Sequence, residues 1–303
     1  MNAKKLKQVS LNFKAMGTRC EIQLLHDHPG QARRLGKRII ADVQRLEAKY
    51  SRYRQDSLLS QINQVALSGG QITVDDETAY LLNYADTCYQ QSDGLFDITS
   101  GVLRRVWRFH ADQLPSQEEI NPILDKVGWH KLHWQSPLLE FPIAGMELDF
   151  GGIVKEYAVD RAASLCKEAG VSHGFINLGG DIRVIGPREG DEPWNLGISH
   201  PRQTGSLLMN LAISRGAVAS SGDYERCIVI DGVRYAHILN PKTGWPVKYL
   251  AAVSVVSNFC VVAGSASTIA MLMEEQGPRW LLELGLPHVW VDVNGRQGGD
   301  LNR

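Results

Sequence analysis

Hydrophobic and polar residues alternate over residues 13–25, which predicts a β-strand interrupted by a turn at residues 15–18. Apolar residues then recur every three or four positions over residues 31–50, as on the buried face of a helix. Residues 1–12 precede the first clear pattern, and we expect them to form a loose N-terminal extension. Helical spacing predicts further helices over residues 76–91, 154–169 and 263–276.

Short apolar runs separated by turn residues dominate the second half of the chain and predict antiparallel strands there. Residues 111–122 form the most polar insertion, which predicts a surface excursion. Helices mixed with adjacent strands predict an α+β (mixed α/β) fold, and residues 1–303 are expected to form a single domain of two intimately packed lobes. The strands are predicted over residues 145–150, 171–176, 196–199, 207–213, 227–230, 250–256 and 289–293.

Composition then narrows the classes of function. The formal net charge of −1 gives no basic excess that would favour nucleic-acid binding. No apolar stretch approaches the roughly 20 residues of a membrane span, and the basic N-terminus lacks the apolar run of a signal peptide. The five cysteines are scattered without a paired motif, which excludes a zinc framework or a disulfide scaffold. A cytoplasmic protein is the simplest interpretation, and a periplasmic one applies if a leader was removed.

Two segments could bind a phosphate-bearing ligand and move a proton. Gly151 and Gly152 precede a predicted helix that carries Lys155 in its first turn, and free amides at a helix start favour anions. The alternative is a tight packing turn. His237 leads into a Pro-Lys-Thr-Gly turn and could accept a proton at neutral pH, although a structural, hydrogen-bonded histidine has the same pattern.

Two further segments are candidates for ligand contact. Phe96, Asp97 and Thr99 could stack on a planar ring and hydrogen-bond its edge, although aromatic residues at such spacing are more often core. Residues 220–226 form a dense polar run that fits either a binding loop or a solvated hairpin.

In this order, these segments together resemble the ApbE family, the FAD:protein FMN transferases. The resemblance covers residues 13–277 and is specific because several weak motifs occur in register. It runs through residues 15–18, 51–53, 57–63, 94–99, 148–152, Lys155, 157–160, 177–181, 221–226 and 237–244.

The resemblance implies a two-lobed fold with FAD in a cleft between the lobes. It implies transfer of FMN from FAD to a Ser or Thr hydroxyl of an acceptor protein, with release of AMP; some relatives hydrolyse FAD instead. Lys155 and His237 are then the catalytic candidates near the pyrophosphate, with His237 assisting removal of the acceptor proton. The residues implied to contact the cofactor are Met16, Thr18, Tyr53, Phe96, Asp97, Ile98, Thr99, Gly151, Gly152, Tyr157 and Ile238.

One departure from the family concerns the metal. The family's Ala-Asp-x-x-x-Thr pattern holds Mg²⁺ through its Asp and Thr, and here Gly264 replaces the Asp while Thr268 and the Val154 carbonyl remain. We therefore expect an Mg²⁺ site that is weak, or complete only when FAD phosphates contribute, and a Gly264→Asp substitution that raises Mg²⁺-dependent turnover if the fold is otherwise intact. Glu156 replaces a family glycine; it could offer a substitute carboxylate if its side chain turned inward, but we expect it to point outward from its helix. A non-catalytic FAD-binding protein and an FAD pyrophosphatase are the alternative functions.

Overall fold

The chain is described over residues 5–108, 113–224 and 227–301 in a computed structural model. Its helices are α1 (Pro29–Tyr50), α2 (Leu58–Ser68), α3 (Asp76–Gln91), α4 (Gln117–Leu124), α5 (Val154–Glu168), α6 (Cys260–Leu272) and α7 (Gly277–Glu283). Its strands are β1 (Lys7–Ala15), β2 (Thr18–His26), β3 (Gly70–Thr73), β4 (His133–Gln135), β5 (Leu138–Phe141), β6 (Gly174–Leu178), β7 (Asp181–Gly186), β8 (Trp194–Ser199), β9 (Leu207–Ile213), β10 (Gly216–Gly222), β11 (Cys227–Ile230), β12 (Val233–Ala236), β13 (Leu250–Ser257), β14 (His288–Asp292) and β15 (Gln297–Gly299).

An eight-stranded sheet organises the described residues, in the order β1-β2-β6-β7-β10-β13-β14-β15. Every neighbouring pair in it is antiparallel. Helices α1, α5 and α6 cover one face, and the β8–β9 hairpin covers the other. Because successive strand residues point to opposite faces, Ile176 packs in the helix-side core while Phe175 packs with the hairpin. The mixed α/β fold with antiparallel sheets is confirmed.

The remaining elements form a second group beside the sheet. A small sheet pairs β3, β5 and β4 in that order, and β11 pairs with β12. A 3₁₀-helix over Ile98–Arg105 packs against α4, where Val102, Leu103 and Ile120 share a buried cluster. None of the described helices is both long and apolar enough to cross a bilayer.

The expectation of a loose N-terminal extension is wrong for the residues up to 12 that belong to β1. The strand pairs with β2 from Lys7↔His26 to Ala15↔Thr18, and Val9 is buried. Val9, Leu11, Phe13 and Ala15 alternate with polar residues along β1, so the strand pattern used to predict residues 13–25 in fact begins before residue 13. Residues 1–4 lie outside the described part of the chain.

The strand expected over residues 145–150 is also wrong. Gly145 lies in a turn, and residues 146–150 belong to no described helix or sheet. Its backbone bonds elsewhere: Leu148 N donates to Asn63 Oδ1 at 2.8 Å, and Asn63 Nδ2 donates back to Leu148 O at 3.0 Å. An asparagine side chain thus satisfies groups that a neighbouring strand would otherwise pair.

Residues 111–122 are not only a surface excursion. Residues 111 and 112 lie outside the described ranges, but α4 begins with a capping box in which Ser116 and Glu119 satisfy each other's backbone amides. Ile120 on this helix is fully buried. Ile123 and Leu124, three and four residues further on, are half-buried against the same cluster, so one face of this short helix packs inward.

A charge network ties α1, α3 and α5 together around Glu77. Arg45 donates to both Glu77 oxygens, at 2.7 and 2.8 Å, and Lys49 donates at 2.8 Å. Arg161 lies 3.9 Å from the same carboxylate and Tyr157 donates to it at 3.3 Å. The Arg45 hydrogen bonds, more than offsetting burial, lower the pKa of Glu77 to about 2.

This network gives a pH-dependent contribution to stability. Because the folded-state pKa of Glu77 lies below its ordinary 4.5, the contribution is fully present above pH 4.5 and is lost as the pH falls toward about 2. We expect a Glu77→Gln variant to be less stable than the wild type at neutral pH, with a gap that narrows in acid. Urea midpoints at about pH 6 and about pH 3 would measure this. Exposed Glu118, changed to Gln, is the matched control; a gap independent of pH would contradict the assignment.

Candidate functional site

The start of α5 is a glycine turn that exposes backbone. Gly151 N donates to Asp149 Oδ1 at 2.8 Å, which fixes the turn. A Cβ on Gly152 would lie 3.4 Å from Phe96 Cζ, so the Phe96 ring packs directly against this glycine. Among the described residues, no side chain caps the first turn of α5. The turn therefore brings Phe96, Gly151 and Gly152 together, beside helix amides suited to an anion.

Arg52 connects Tyr53 to the glycine turn. Its ring is 75% exposed. Arg52 lies over that ring, 5.0 Å from the centroid, and donates to the Tyr53 hydroxyl at 2.9 Å. The same guanidinium forms an ion pair with Asp149, the residue that holds Gly151. An exposed aromatic face thus lies beside the turn, as stacking on a planar ligand requires.

The β1–β2 turn meets the turn that precedes β7. Met16, at φ 52°, donates its amide to Glu47 Oε1 at 2.5 Å. Thr18 packs on Gly179, where a Cβ would lie 2.5 Å from the Thr18 hydroxyl. Gly179 has φ 66°, so both its conformation and this contact require glycine. Gly179 precedes Asp181 by two residues, so the contact places Thr18 beside the segment that carries Asp181.

Asp181 connects this turn with α5. Its carboxylate is 3% exposed and lies 2.7 Å from Lys155 Nζ. Lys155, predicted as a phosphate-binding cation, is therefore held at the helix start by a buried partner. The pair fixes the ammonium group between the β6–β7 turn and the first turn of α5, which neither motif alone indicates.

The expectation that Glu156 points outward is wrong. Glu156 is 7% exposed, and its side chain lies over Gly264 on α6: a Cβ at position 264 would be 2.5 Å from Glu156 Cγ and 3.2 Å from Oε1. Its Oε2 atom makes no hydrogen bond within the described residues. Burial, followed by the nearby Asp181 carboxylate, raises the pKa of Glu156, and Lys155 opposes the shift.

This packing bears on the condition attached to Gly264→Asp, which was expected to raise turnover only if the fold stayed otherwise intact. Any side chain at position 264 collides with the middle of the buried Glu156 side chain, and an aspartate adds a second negative charge beside it. From the sequence, Gly264 is a position where the family pattern has an aspartate. In the structure, the Glu156 side chain fills the space that a side chain at position 264 would need.

Asp160 sets how α5 and α6 face each other. Its two carboxylate oxygens accept the amides of Cys260 and Val261 at 2.9 Å each, at the start of α6. Arg183 donates to the same carboxylate at 2.8 Å. Since Asp160 meets the beginning of α6 and Glu156 meets Gly264, the helices run antiparallel and their facing positions are fixed.

A group of hydroxyls continues the site along α6. Ser221 Oγ on β10 lies 2.8 Å from Ser267 Oγ and 2.9 Å from Thr268 Oγ1. Thr268 stands one turn beyond Gly264, on the same side of the helix. Thr268, predicted to bind the metal, therefore lies one turn along α6 from the position against which Glu156 packs. Val154, the other predicted metal residue, is the first residue of α5. Of the run 220–226, Glu225 and Arg226 lie outside the described residues.

Asp97 and Thr99 have clear structural partners. Asp97 Oδ1 accepts from Thr99 N at 2.8 Å and from its hydroxyl at 2.6 Å, while Oδ2 accepts from Trp129 N at 2.9 Å. Both residues are buried. Ile98 O accepts from Asp149 N at 2.8 Å and so joins this cap to the glycine turn. These residues hold Phe96 beside Gly152, and direct contact with a cofactor stays a prediction.

Tyr157 and the His237 loop are the other predicted contacts. Tyr157 points its hydroxyl toward Glu77, and burial raises its pKa to about 12, so the phenol is protonated at neutral pH. His237 and Ile238 follow β12 in a half-buried loop whose Gly244 carbonyl accepts from Trp107 Nε1 at 2.6 Å. Their placement at the ligand stays a prediction.

A separate cavity of about 200 Å³ lies between the sheet and the β8–β9 hairpin. Ser220, Tyr224 and Asp181 contribute to its lining, along with Leu196 and Ile198. Ligand pockets usually measure about 300–1,000 Å³, so this cavity is too small for a whole dinucleotide. Its described lining includes none of the residues predicted to contact the cofactor.

The sequence analysis gave Asp181 no role of its own, and it set aside Glu156 as a substitute carboxylate because its side chain was expected to point outward. Both are buried acids beside the start of α5. Within residues 5–108, 113–224 and 227–301, no three His, Cys, Asp or Glu side chains are grouped to hold a metal ion. A cation here would need hydroxyl or carbonyl oxygens beside the carboxylates.

Comparison with known proteins decides the family. The model of the ApbE family matches residues 16–290, nearly the whole chain. The chain belongs to the ApbE family. An FAD:protein FMN transferase of Vibrio cholerae is 30% identical over 282 residues, which cover 90% of this chain and 84% of that protein. The enzyme of the same name from Haemophilus influenzae is 27% identical over 285 residues, with 90% and 82% covered.

Solved structures of ApbE proteins share the fold throughout. The ApbE protein of Thermotoga maritima aligns with a TM-score of 0.88 at 30% identity, covering 98% of both chains. The flavin transferase ApbE of Vibrio cholerae aligns with a TM-score of 0.86 at 28% identity, covering 97% of both. This ApbE-family chain therefore shares its fold with these structures over nearly its whole length.

Proposed function

We propose that this chain is an FAD:protein FMN transferase, which moves FMN from FAD to a Ser or Thr hydroxyl of an acceptor protein and releases AMP. The observation that carries the proposal is the convergence at the first turn of α5. The exposed ring of Tyr53 and the packed ring of Phe96 lie beside the glycine turn at residues 151–152. The ammonium group of Lys155 lies at the same helix start.

Each part matches a part of the flavin nucleotide. Tyr53 offers a face for the planar ring system, and the uncapped helix start offers amides to a phosphate. Lys155 adds a positive charge that Asp181 holds in place. Relatives that carry out this transfer support the same assignment across the length of the chain.

The chemistry is a phosphoryl transfer to a hydroxyl. The acceptor oxygen forms a bond to the phosphorus on the FMN side of the pyrophosphate, and the bond from that phosphorus to the bridging oxygen breaks, so AMP leaves. His237 accepts the hydroxyl proton. Lys155 stabilises the negative charge that spreads over the phosphoryl oxygens.

A divalent cation, with Mg²⁺ as the expected metal, belongs to the proposal. The Thr268 hydroxyl and the Val154 carbonyl would hold it, but both are neutral and Gly264 offers no charge. The buried Glu156 Oε2, which has no hydrogen bond in the described residues, makes the local groups fit a cation. When bound, the cation supplies positive charge to the diphosphate.

Mass spectrometry tests the function directly. The full chain is incubated with FAD, Mg²⁺ and a peptide that bears the family's Ser/Thr acceptor motif, and we expect the peptide to gain the mass of FMN while AMP appears. The same peptide with alanine in place of the acceptor hydroxyl is the control and should stay unmodified. Free FMN without an adduct would instead indicate a pyrophosphatase, and bound but intact FAD a binding protein; either result contradicts the transferase.

A further inference from the structure

We propose that Glu156 on α5 supplies the carboxylate ligand of the divalent cation, and that Gly264 on α6 is the space this side chain requires. The inference rests on the proposed function and names which residue of this chain carries the charge at its cation site. The family pattern has glycine at position 156 on α5 and aspartate at position 264 on α6. In this chain the acid is at position 156 and the glycine at position 264.

Steric contact is the first support. A Cβ at position 264 would lie 2.5 Å from Glu156 Cγ, closer than such atoms approach in proteins. Only one of the two positions can therefore bear a side chain. Asp160 fixes the facing of the two helices through the Cys260 and Val261 amides, so the exchange keeps the acid in the same space between α5 and α6.

The charge balance is the second support. Glu156 and Asp181 are both more than nine-tenths buried, and Lys155 is the cation that pairs with Asp181 at 2.7 Å. Glu156 Oε2 accepts no hydrogen bond in the described part of the chain. Burying a charged carboxylate oxygen is costly, because the charge loses hydration and gains no protein hydrogen bond in exchange. A divalent cation bound to that oxygen removes the cost.

Neutral oxygen ligands are close at hand along α6. Gly264, against which Glu156 packs, lies one turn from Thr268, and the Thr268 hydroxyl is already oriented by Ser221 at 2.9 Å. A carboxylate joined by hydroxyl and carbonyl oxygens is a donor set that Mg²⁺ and Mn²⁺ accept. The site can therefore form without a third acidic side chain.

Mn²⁺ binding tests the proposal without any dependence on turnover. Free Mn²⁺ is measured by its electron paramagnetic resonance signal during titration of the full chain, with and without FAD. We expect wild type to bind one Mn²⁺ and Glu156→Gln to bind it at least about tenfold more weakly. Glu168→Gln makes the same change at an exposed position on the same helix, and should bind Mn²⁺ as wild type does.

A second variant keeps the test decisive if Glu156→Gln does not fold. The double variant Glu156→Gly with Gly264→Asp returns the acid to α6, and we expect its Mn²⁺ affinity to lie within a few-fold of wild type. Wild-type affinity in Glu156→Gln, no Mn²⁺ binding by wild type, or none by the folded double variant would each overturn the proposal. If Mn²⁺ binds through Glu156 but no FMN reaches the peptide, the proposed function fails while this inference stands.

Discussion

A Gly264→Asp variant is expected to be less stable than wild type by about 1–3 kcal/mol, the usual cost of forcing extra atoms into a packed interior. The reason is the contact with Glu156: the new Cβ would lie 2.5 Å from Glu156 Cγ, and Glu156 is too buried to swing into solvent. The added carboxylate also faces Glu156 and Asp181, so like charges increase the loss. Urea unfolding followed by far-ultraviolet circular dichroism measures the difference.

Two variants isolate the cause. Gly30→Asp makes the same chemical change at an exposed helix start, where the nearest atom to a new Cβ is Arg34 Nη1 at 3.8 Å, and it should be close to neutral. Adding Glu156→Gly to Gly264→Asp removes the collision and should restore most of the stability. If Gly264→Asp alone unfolds at the wild-type urea concentration, the packing of Glu156 on α6 is not as described.

Replacing His237 with alanine is expected to lower the rate of FMN transfer by about 10²–10⁴-fold, the range typical for loss of a general base. FAD binding should change little, because the proposed contacts with the ring and the phosphates come from Tyr53, Phe96 and the start of α5. Single-turnover transfer to the acceptor peptide measures the rate, and quenching of flavin fluorescence measures binding.

His133→Ala is the matched control for this substitution. His133 is exposed on β4, where it pairs with Glu140 at 3.0 Å, and its loss should leave the transfer rate unchanged. Added imidazole should restore part of the activity of His237→Ala if the missing group is a proton acceptor. A His237→Ala enzyme as fast as wild type removes His237 from the mechanism.

Periodic segments of the fold could be predicted from the sequence because burial on one face imposes a repeat. The helix expected over residues 76–91 matches α3, and the one over residues 31–50 matches α1 within two residues. The first part of β1 was missed although Val9 and Leu11 continue the alternation of Phe13 and Ala15. The segment 145–150 was misassigned because its partner is the Asn63 side chain, which no local pattern reveals.

The candidate site was predictable only where one motif sufficed. The glycine turn and Lys155 lie together at the start of α5 because they are neighbours in sequence. The direction of Glu156 depends on Gly264, a residue on another helix, and the orientation of Lys155 depends on Asp181 on β7. Such pairings are set by tertiary packing. The sequence therefore shows that position 264 lacks an acid and that Glu156 is a candidate substitute, but not that the Glu156 side chain points inward.

The first turn of α5 is contacted by segments from the early, middle and late parts of the chain, through Arg52, Phe96, Asp181 and Gly264. A nucleotide seated there can be recognised only after all of these have assembled, so no fragment of the protein should retain its affinity. Because the nucleotide binds only the folded protein, its binding stabilises the whole chain by mass action, and it should protect distant segments from proteolysis as well as those at the site.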